Sequence, residues 1–132
     1  MSRHAPADEG NLAVVRVLME SVLGAGRMAL LPGLIAPGYV GHLPIGDHYG
    51  PEGVRIELAA YRSAMCDLVV TLDDLFGWDD RVARRFTLRG TSRPMPPAEP
   101  VPVTLLGIAI DRLEHGLLVE SWVQIEHYPR TD

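Results

Sequence analysis

The stretch "VESWVQIEHY", residues 119–128, alternates between two kinds of side chain. Successive side chains on a β-strand point to opposite faces. One face here collects Glu120, Trp122, Gln124 and Glu126, and the other collects Val119, Ser121, Val123 and Ile125. An ordinary half-exposed strand buries its apolar face and solvates the other. A tryptophan, an amide and two carboxylates make a poor solvent face. Two readings follow. Either these residues decorate a strand end in water, or they line an interior that is meant to be polar.

The same period of two runs through the second half of the chain. "DLVVTLDDLFGW" (67–78), "RVARRFTLRGT" (81–91) and "VPVTLLGIAIDRL" (101–113) each read as strands, ahead of "LLVESWVQIEHY" (117–128). Asp79-Asp80 forms the first turn, and His115-Gly116 forms the last, with Gly116 suited to a positive φ. "SRPMPPAEP" (92–100) cannot be a strand interior, because proline lacks the ladder donor. The first half has helical spacing. Leu12, Val15, Met19 and Val22 form a stripe on a helix capped by Asp8 or Asn11 and ended by "GAG" at 24–26. Pro32 and Gly33 break a second helix. "VGHLPIGDHYG" (40–50) reads as loop. Pro51 opens a third helix, about 51–65, with the stripe Val54, Leu58, Tyr61 and Met65. Three helices followed by an antiparallel meander make an α+β chain, in which a curved sheet wraps the helices as a half-open cone.

Composition narrows the function. The 132 residues are 47% hydrophobic and 22% charged, which reads as one globular domain, with residues 1–10 a flexible arm. The net charge is −5 and no lysine occurs, so the clustered basic stripe of a nucleic-acid binder is not expected. Cys66 has no partner for an internal disulfide, which fits a reducing, cytoplasmic location. "MSRHAPADEG" lacks the apolar core of a signal peptide, and no apolar run is long enough to span a bilayer. There is no phosphate-binding loop, no dinucleotide glycine fingerprint and no Cys/His metal spacing.

Five pieces in order carry a resemblance: "NLAVVRVLMESVL", "LIAPGYVGHLP", "GPEGVRIELAAYRSAMCDL", "DDRVARRFTLRGTS" and "PPAEPVPVTLLGIAIDRLEHGLLVESW". Together they resemble the SnoaL-like polyketide cyclases of the NTF2-like superfamily. The resemblance implies a cone of three N-terminal helices packed on a curved antiparallel sheet, with the ligand pocket inside. It turns Trp122, Gln124 and Glu126 into that pocket and leaves Val123 and Ile125 for a homodimer interface. It implies intramolecular aldol ring closure of a hydrophobic, polyketide-like small molecule, with no metal or organic cofactor. Glu126 stands four residues after Trp122, where the family carries its aspartate base. Burial in an apolar pocket raises such a carboxylate's pKa and makes it a better base. Ketosteroid isomerase, a relative by fold, uses an aspartate base in such a pocket.

The other candidates follow from the same resemblance. Arg85 in "RFT" orients the base or stabilises an oxyanion, and Thr87 shares its strand face. His42 in "YVGHLP" is a pocket donor or proton carrier. Tyr39, Tyr61, Met65 and Trp122 are walls for a flat polycyclic ligand. Ser92 replaces a histidine that the family often carries after its second strand, and "EHYPRTD" stands where relatives continue into a helix. These two departures favour a non-catalytic binding or accessory protein as an alternative. A further alternative is epoxide opening or isomerisation. Epoxide hydrolases of this fold set an arginine between two carboxylates, but Thr87 and Gln124 stand where acids beside Arg85 would be expected.

Overall fold

The computed structural model describes residues 9–93 and 99–127. The expected flexible arm and the Asp8 cap fall almost entirely outside them, as do residues 94–98 of the proline-rich stretch. Helix α1, Glu9–Val17, passes directly into a π-helical segment, Leu18–Gly24. Val15, Leu18, Met19, Val22 and Leu23 are its buried face. A 3₁₀ helix, Met28–Gly33, follows, with Pro32 inside it. The proline allows no regular α-helical ladder there, and the chain turns at once into a strand.

That strand corrects the reading of residues 40–50 as loop. Strand β1, Ile35–Leu43, pairs antiparallel with the short β2, Gly46–Tyr49. Helix α2, Gly50–Ala64, comes only after this hairpin, so the helices are not three N-terminal ones in a row. Gly50 takes φ +65° at its start and Pro51 fills the first turn. Met65, expected on this helix, is the first residue of strand β3.

Strands β3 (Met65–Trp78), β4 (Arg81–Ser92), β5 (Pro102–Glu114) and β6 (Leu117–His127) form the antiparallel meander. Asp79 at φ +54° makes the first tight turn, and His115 and Gly116, at +53° and +78°, make the last. The sheet order is β2-β1-β6-β5-β4-β3, and β1 runs parallel to β6. The sheet is therefore mixed and open at both edges. Register shifts at Leu72/Asp74, Arg112/Leu113 and Ile35/Val40 bend it, because each bulge adds local twist.

One sheet face receives the helices. Val82, Phe86, Leu88, Leu113 and Leu118 meet Val15, Met19, Val22, Val54 and Leu58 in a single core cluster. Arg62 of α2 ties the helical layer together, donating from Nη1 to the carbonyls of Leu23 (2.7 Å) and Gly24 (3.0 Å). These carbonyls end the π-helical segment and have no helical partner of their own.

Strand β5 holds small residues on the helix side, Gly107 and Ala109, and bulky ones outside, Leu106, Ile108 and Ile110. The Phe86 ring lies across Gly107, where an added Cβ would stand 2.2 Å from ring carbon. Gly107→Ala should therefore cost roughly 1–3 kcal/mol through overpacking. Thermal unfolding should show this as a lowered melting temperature, and adding Phe86→Leu should recover part of it.

Candidate active site

The interior face of the sheet carries a polar network that crosses four strands. Arg84 on β4 donates Nε and Nη2 to the two carboxylate oxygens of Asp111 on β5, at 2.9 and 3.0 Å. Ser121 on β6 faces Asp111 in the ladder and donates its hydroxyl to Oδ1 at 2.5 Å. Tyr39 on β1 hydrogen-bonds Ser121. Because the serine proton is already given to Asp111, Tyr39 is the donor to Ser121. Gly41 makes room for this, since the Tyr39 hydroxyl lies over it, 2.7 Å from where a Cβ would be. Asp111 and Ser121 are 0% exposed and Arg84 is 7% exposed.

Such a network survives burial only because each charge is paired and hydrogen-bonded. Burial works against the Arg84 charge, but the field and hydrogen bonds of Asp111 outweigh it and hold the guanidinium's pKa above its usual value. Burial also pushes the Tyr39 hydroxyl up to about 12, so it is a neutral donor at physiological pH.

Glu57 is the unbalanced member. It projects from α2 in the buried stripe of Val54 and Leu58, with Tyr61 one turn further on. Among the described residues no hydrogen bond reaches its carboxyl group. Desolvation raises its pKa to about 7; Arg84 pulls it back and Asp111 pushes it further up. The Arg84 charge is already matched by Asp111, so little attraction is left over for a second carboxylate. Tyr61 is likewise raised, first by burial and then by the Glu57 charge. A half-buried carboxyl that titrates near neutrality beside fixed donors can take a proton and return it.

The candidates read from the sequence fall on both sides of the sheet. Tyr39 and Met65 are buried on the helix side, and Tyr61 packs against the same core. Ser92 lies at the end of β4, where its hydroxyl accepts from the Val101 amide at 3.1 Å. Trp122, Gln124 and Glu126 lie on the sheet face away from the helices, which corrects the inward orientation expected for them; on that face Gln124 and Glu126 line a cavity of about 480 Å³ together with Arg85, and Trp122 is 37% exposed. Val123, expected outside, is 3% exposed among the core, and Ile125 packs against that core as well. Arg85 and Thr87 are outward too. Arg85 Nε donates to Asp74 at 2.7 Å, and the Thr87 hydroxyl donates to Asp73 at 2.7 Å. The interior arginine is its neighbour Arg84.

His42 also faces out. Its ring nitrogens meet Glu120 at 2.8 Å and Asp47 at 3.1 Å, and its ring stacks on Trp122. Arg81 lies over the Trp122 ring, 5.2 Å from its centroid. Glu120, then Asp47, raises the His42 pKa, and His42, then Arg112, lowers that of Glu120. These groups tie β1, β2, β5 and β6 together on the face away from Glu57. Among the described residues no three His, Cys, Asp or Glu side chains converge to hold a metal ion. No described helix is long and apolar enough to cross a membrane.

The sequence held a signal for the missed residues. Glu57 interrupts the 54–58–61 helical stripe, and Arg84 interrupts Val82–Phe86–Leu88. A charge at a core position marks either an ion pair or a site.

A family model described as the SnoaL-like domain matches residues 14–121. No curated protein matches the sequence significantly. IdmH from Streptomyces antibioticus, a proposed polyketide cyclase, is 26% identical, with a TM-score of 0.77 over 88% of this chain and 91% of its own. A proposed SnoaL-like polyketide cyclase from Jannaschia sp. CCS1 is 18% identical, with a TM-score of 0.78 over 96% and 92%. AclR from Streptomyces galilaeus, a proposed hydroxylase, is 19% identical, with a TM-score of 0.74 over 91% and 77%. At the two lower identities the likeness establishes the fold alone.

The Glu57 pKa has a consequence for stability. Its folded pKa of about 7 lies above its ordinary value of 4.5, so between these pH values the folded state holds more protons than the unfolded one. Stability then falls as pH rises through this window. Allowing for the water that still reaches the side chain, the ionised group costs on the order of 2 kcal/mol. Glu57→Gln, an analogue of the neutral form, should melt several degrees higher than the native protein at pH 8. The two should melt together at pH 4.5, and parallel curves at both pH values would show that Glu57 does not titrate in the fold.

Proposed function

Because the chain belongs to the SnoaL-like domain family, we propose that it is a small-molecule cyclase whose chemistry takes place on the helix side of the sheet, with Glu57 as the base. The observation that carries this is a half-buried carboxyl with a pKa near 7, beside the Arg84–Asp111–Ser121–Tyr39 network. The substrate class is a hydrophobic, polyketide-like molecule with a carbon flanked by carbonyls. The Glu57 carboxylate takes the proton from that carbon, and the C–H electron pair moves into the enolate. The enolate carbon attacks a second carbonyl of the same molecule and closes a C–C bond. The resulting alkoxide takes the proton back from Glu57. A base with a pKa near the working pH is the efficient one.

Deuterium uptake from D₂O at the α-carbon of α-tetralone, a flat bicyclic ketone, reports the first step without the natural substrate. Glu57→Gln should lower the protein-catalysed rate by roughly 10²–10⁴. The native rate should rise with pH through about 7, as the carboxylate forms. Glu126→Gln is the comparator, since the family resemblance places the base there. Loss of exchange in Glu126→Gln with full exchange in Glu57→Gln would move the base to the outer face and overturn this assignment. Ketone binding without exchange in the native protein would favour a binding or accessory role.

The interior also supports a second reading, epoxide opening by water. Arg84 pairs with Asp111 and feels the charge of Glu57, so a guanidinium and two carboxylates share the interior, as Arg85 shares the outer face with Asp73 and Asp74. Formation of a diol from styrene oxide, lost in Glu57→Gln, would favour it over ring closure.

The partner we propose is a second copy of the chain. Leu106, Ile108, Ile110, Trp122, Phe76 and Trp78 are all exposed on the outer sheet face, and Ile108 reaches 56%. Monomers rarely leave so many large apolar side chains on one face. Arg85, Asp74, Gln124 and Glu126 supply both charge signs and an amide around them, which suits a self-complementary, two-fold contact. This interface replaces the one expected at Val123 and Ile125. The native protein should sediment at twice the 14.5 kDa monomer mass, and Ile108→Asp should return it to the monomer.

A further inference from the structure

Arg84 spends only part of its donor set. Nε and Nη2 are taken by Asp111, while Nη1 points at the Met19 thioether, with Nη1 to Sδ at 2.9 Å. Sulfur of this kind is a weak acceptor. The Arg84 side chain is only 8% exposed, and the Phe86 ring covers the guanidinium at 5.4 Å. Water therefore has little access to Nη1, and leaving such a donor without an oxygen acceptor is costly. Met19 belongs to the π-helical segment, a departure from regular helix that is frequent at functional sites. Methionine is also the apolar side chain that gives way most readily to an incoming group.

We infer that Arg84 Nη1 is the subsite for a neutral carbonyl oxygen of the substrate, the oxygen that becomes an oxyanion when Glu57 removes the adjacent proton. The inference rests on the base assignment made above and adds the group that receives the charge. Charge bookkeeping selects the ligand class. Asp111 already neutralises Arg84, and Glu57 in its basic form adds one negative charge. A ligand that arrives as an anion would add a second negative charge to this interior. An enolisable ketone arrives neutral. Proton transfer then moves the charge from the Glu57 carboxylate to the substrate oxygen, so the total charge of the interior stays the same. Asp111 holds the guanidinium in place before reaction, so once the Met19 thioether has given way to the ligand the donor itself needs no reorientation, the condition under which such a group favours the transition state over the ground state. The subsite therefore takes neutral 1,3-dicarbonyls and related enolisable ketones, and rejects fixed carboxylates of the same shape.

A flat phenol, 4-nitrophenol, tests this, because its ionised form mimics an enolate oxygen and absorbs at a different wavelength. Met19→Gln and Met19→Leu have similar volumes, but only Gln carries an oxygen that can occupy Nη1. Met19→Gln should bind the probe at least about tenfold more weakly than Met19→Leu, with less of the bound probe ionised. Equal affinity and equal ionisation in the two variants would overturn the subsite. If Met19→Gln fails to fold, the native protein decides by its choice of ligand. 4-Nitrobenzoate should then bind at least about tenfold more weakly than 4-nitrophenol, and equal binding, or no binding of 4-nitrophenol, would overturn the inference. Glu57→Gln separates the two assignments. If it leaves the ionisation of the bound probe unchanged while the Met19 variants still differ, the base assignment fails and the oxygen subsite stands.

Discussion

The ion pair between Arg84 and Asp111 constrains everything around it. Among the described residues these are the charged side chains that are buried, and they lie on neighbouring strands under the helical layer. Removing one partner from such a pair leaves an uncompensated charge and costs about 3–5 kcal/mol. Asp111 also accepts from Ser121, which in turn answers to Tyr39 on β1. One carboxylate thus holds β4, β5, β6 and β1 in a single arrangement. A plain hydrophobic core could do this as cheaply. What it could not do is set the electrostatics of the space beside it. With Arg84 already committed to Asp111, Glu57 is left without a cation of its own and titrates near neutrality.

The sheet separates two chemistries. Inward, β5 presents Gly107 and Ala109, which admit the Phe86 ring and leave the polar network in reach of α2. Outward, the same strand presents Leu106, Ile108 and Ile110. The outer face also holds its own charge network, in which His42 bridges Glu120 and Asp47 and shares Trp122 with Arg81. Its groups are solvated and paired with one another, so they brace the sheet edge-to-edge. Solvation keeps those pairs individually weak. The inner network has fewer members, but water is excluded from it, so each of its interactions counts for more.

Much of the fold was legible in the residues. The period of two across 67–127, the turns at Asp79-Asp80 and His115-Gly116, and the interruption at Pro32 are local, backbone-level facts. They hold whatever the rest of the chain does, because proline and tight turns restrict φ directly. The β1–β2 hairpin was less legible. Its residues are rich in glycine, proline and histidine, and β1 gains its place by pairing with β6, some eighty residues later in the chain. Pairing at that distance leaves no local pattern.

The sequence by itself determined the family, the α+β class and, between bulges, the alternation of the meander strands. Only the tertiary structure decided which face is the interior. Alternation defines two faces but not which of them the helices will cover. Residue types pointed the wrong way on both deciding strands. On β6 the bulky Trp122 lies outside and Ser121 inside, and on β5 the large apolar residues lie outside and Asp111 inside. Arg84 and Arg85 are adjacent and chemically identical, yet one is buried against Asp111 and the other pairs with Asp74 in water. The choice depends on where α1, its π-helical extension and α2 pack. It also depends on bulges such as Leu72/Asp74, where one extra residue reverses the parity of all that follows on the strand.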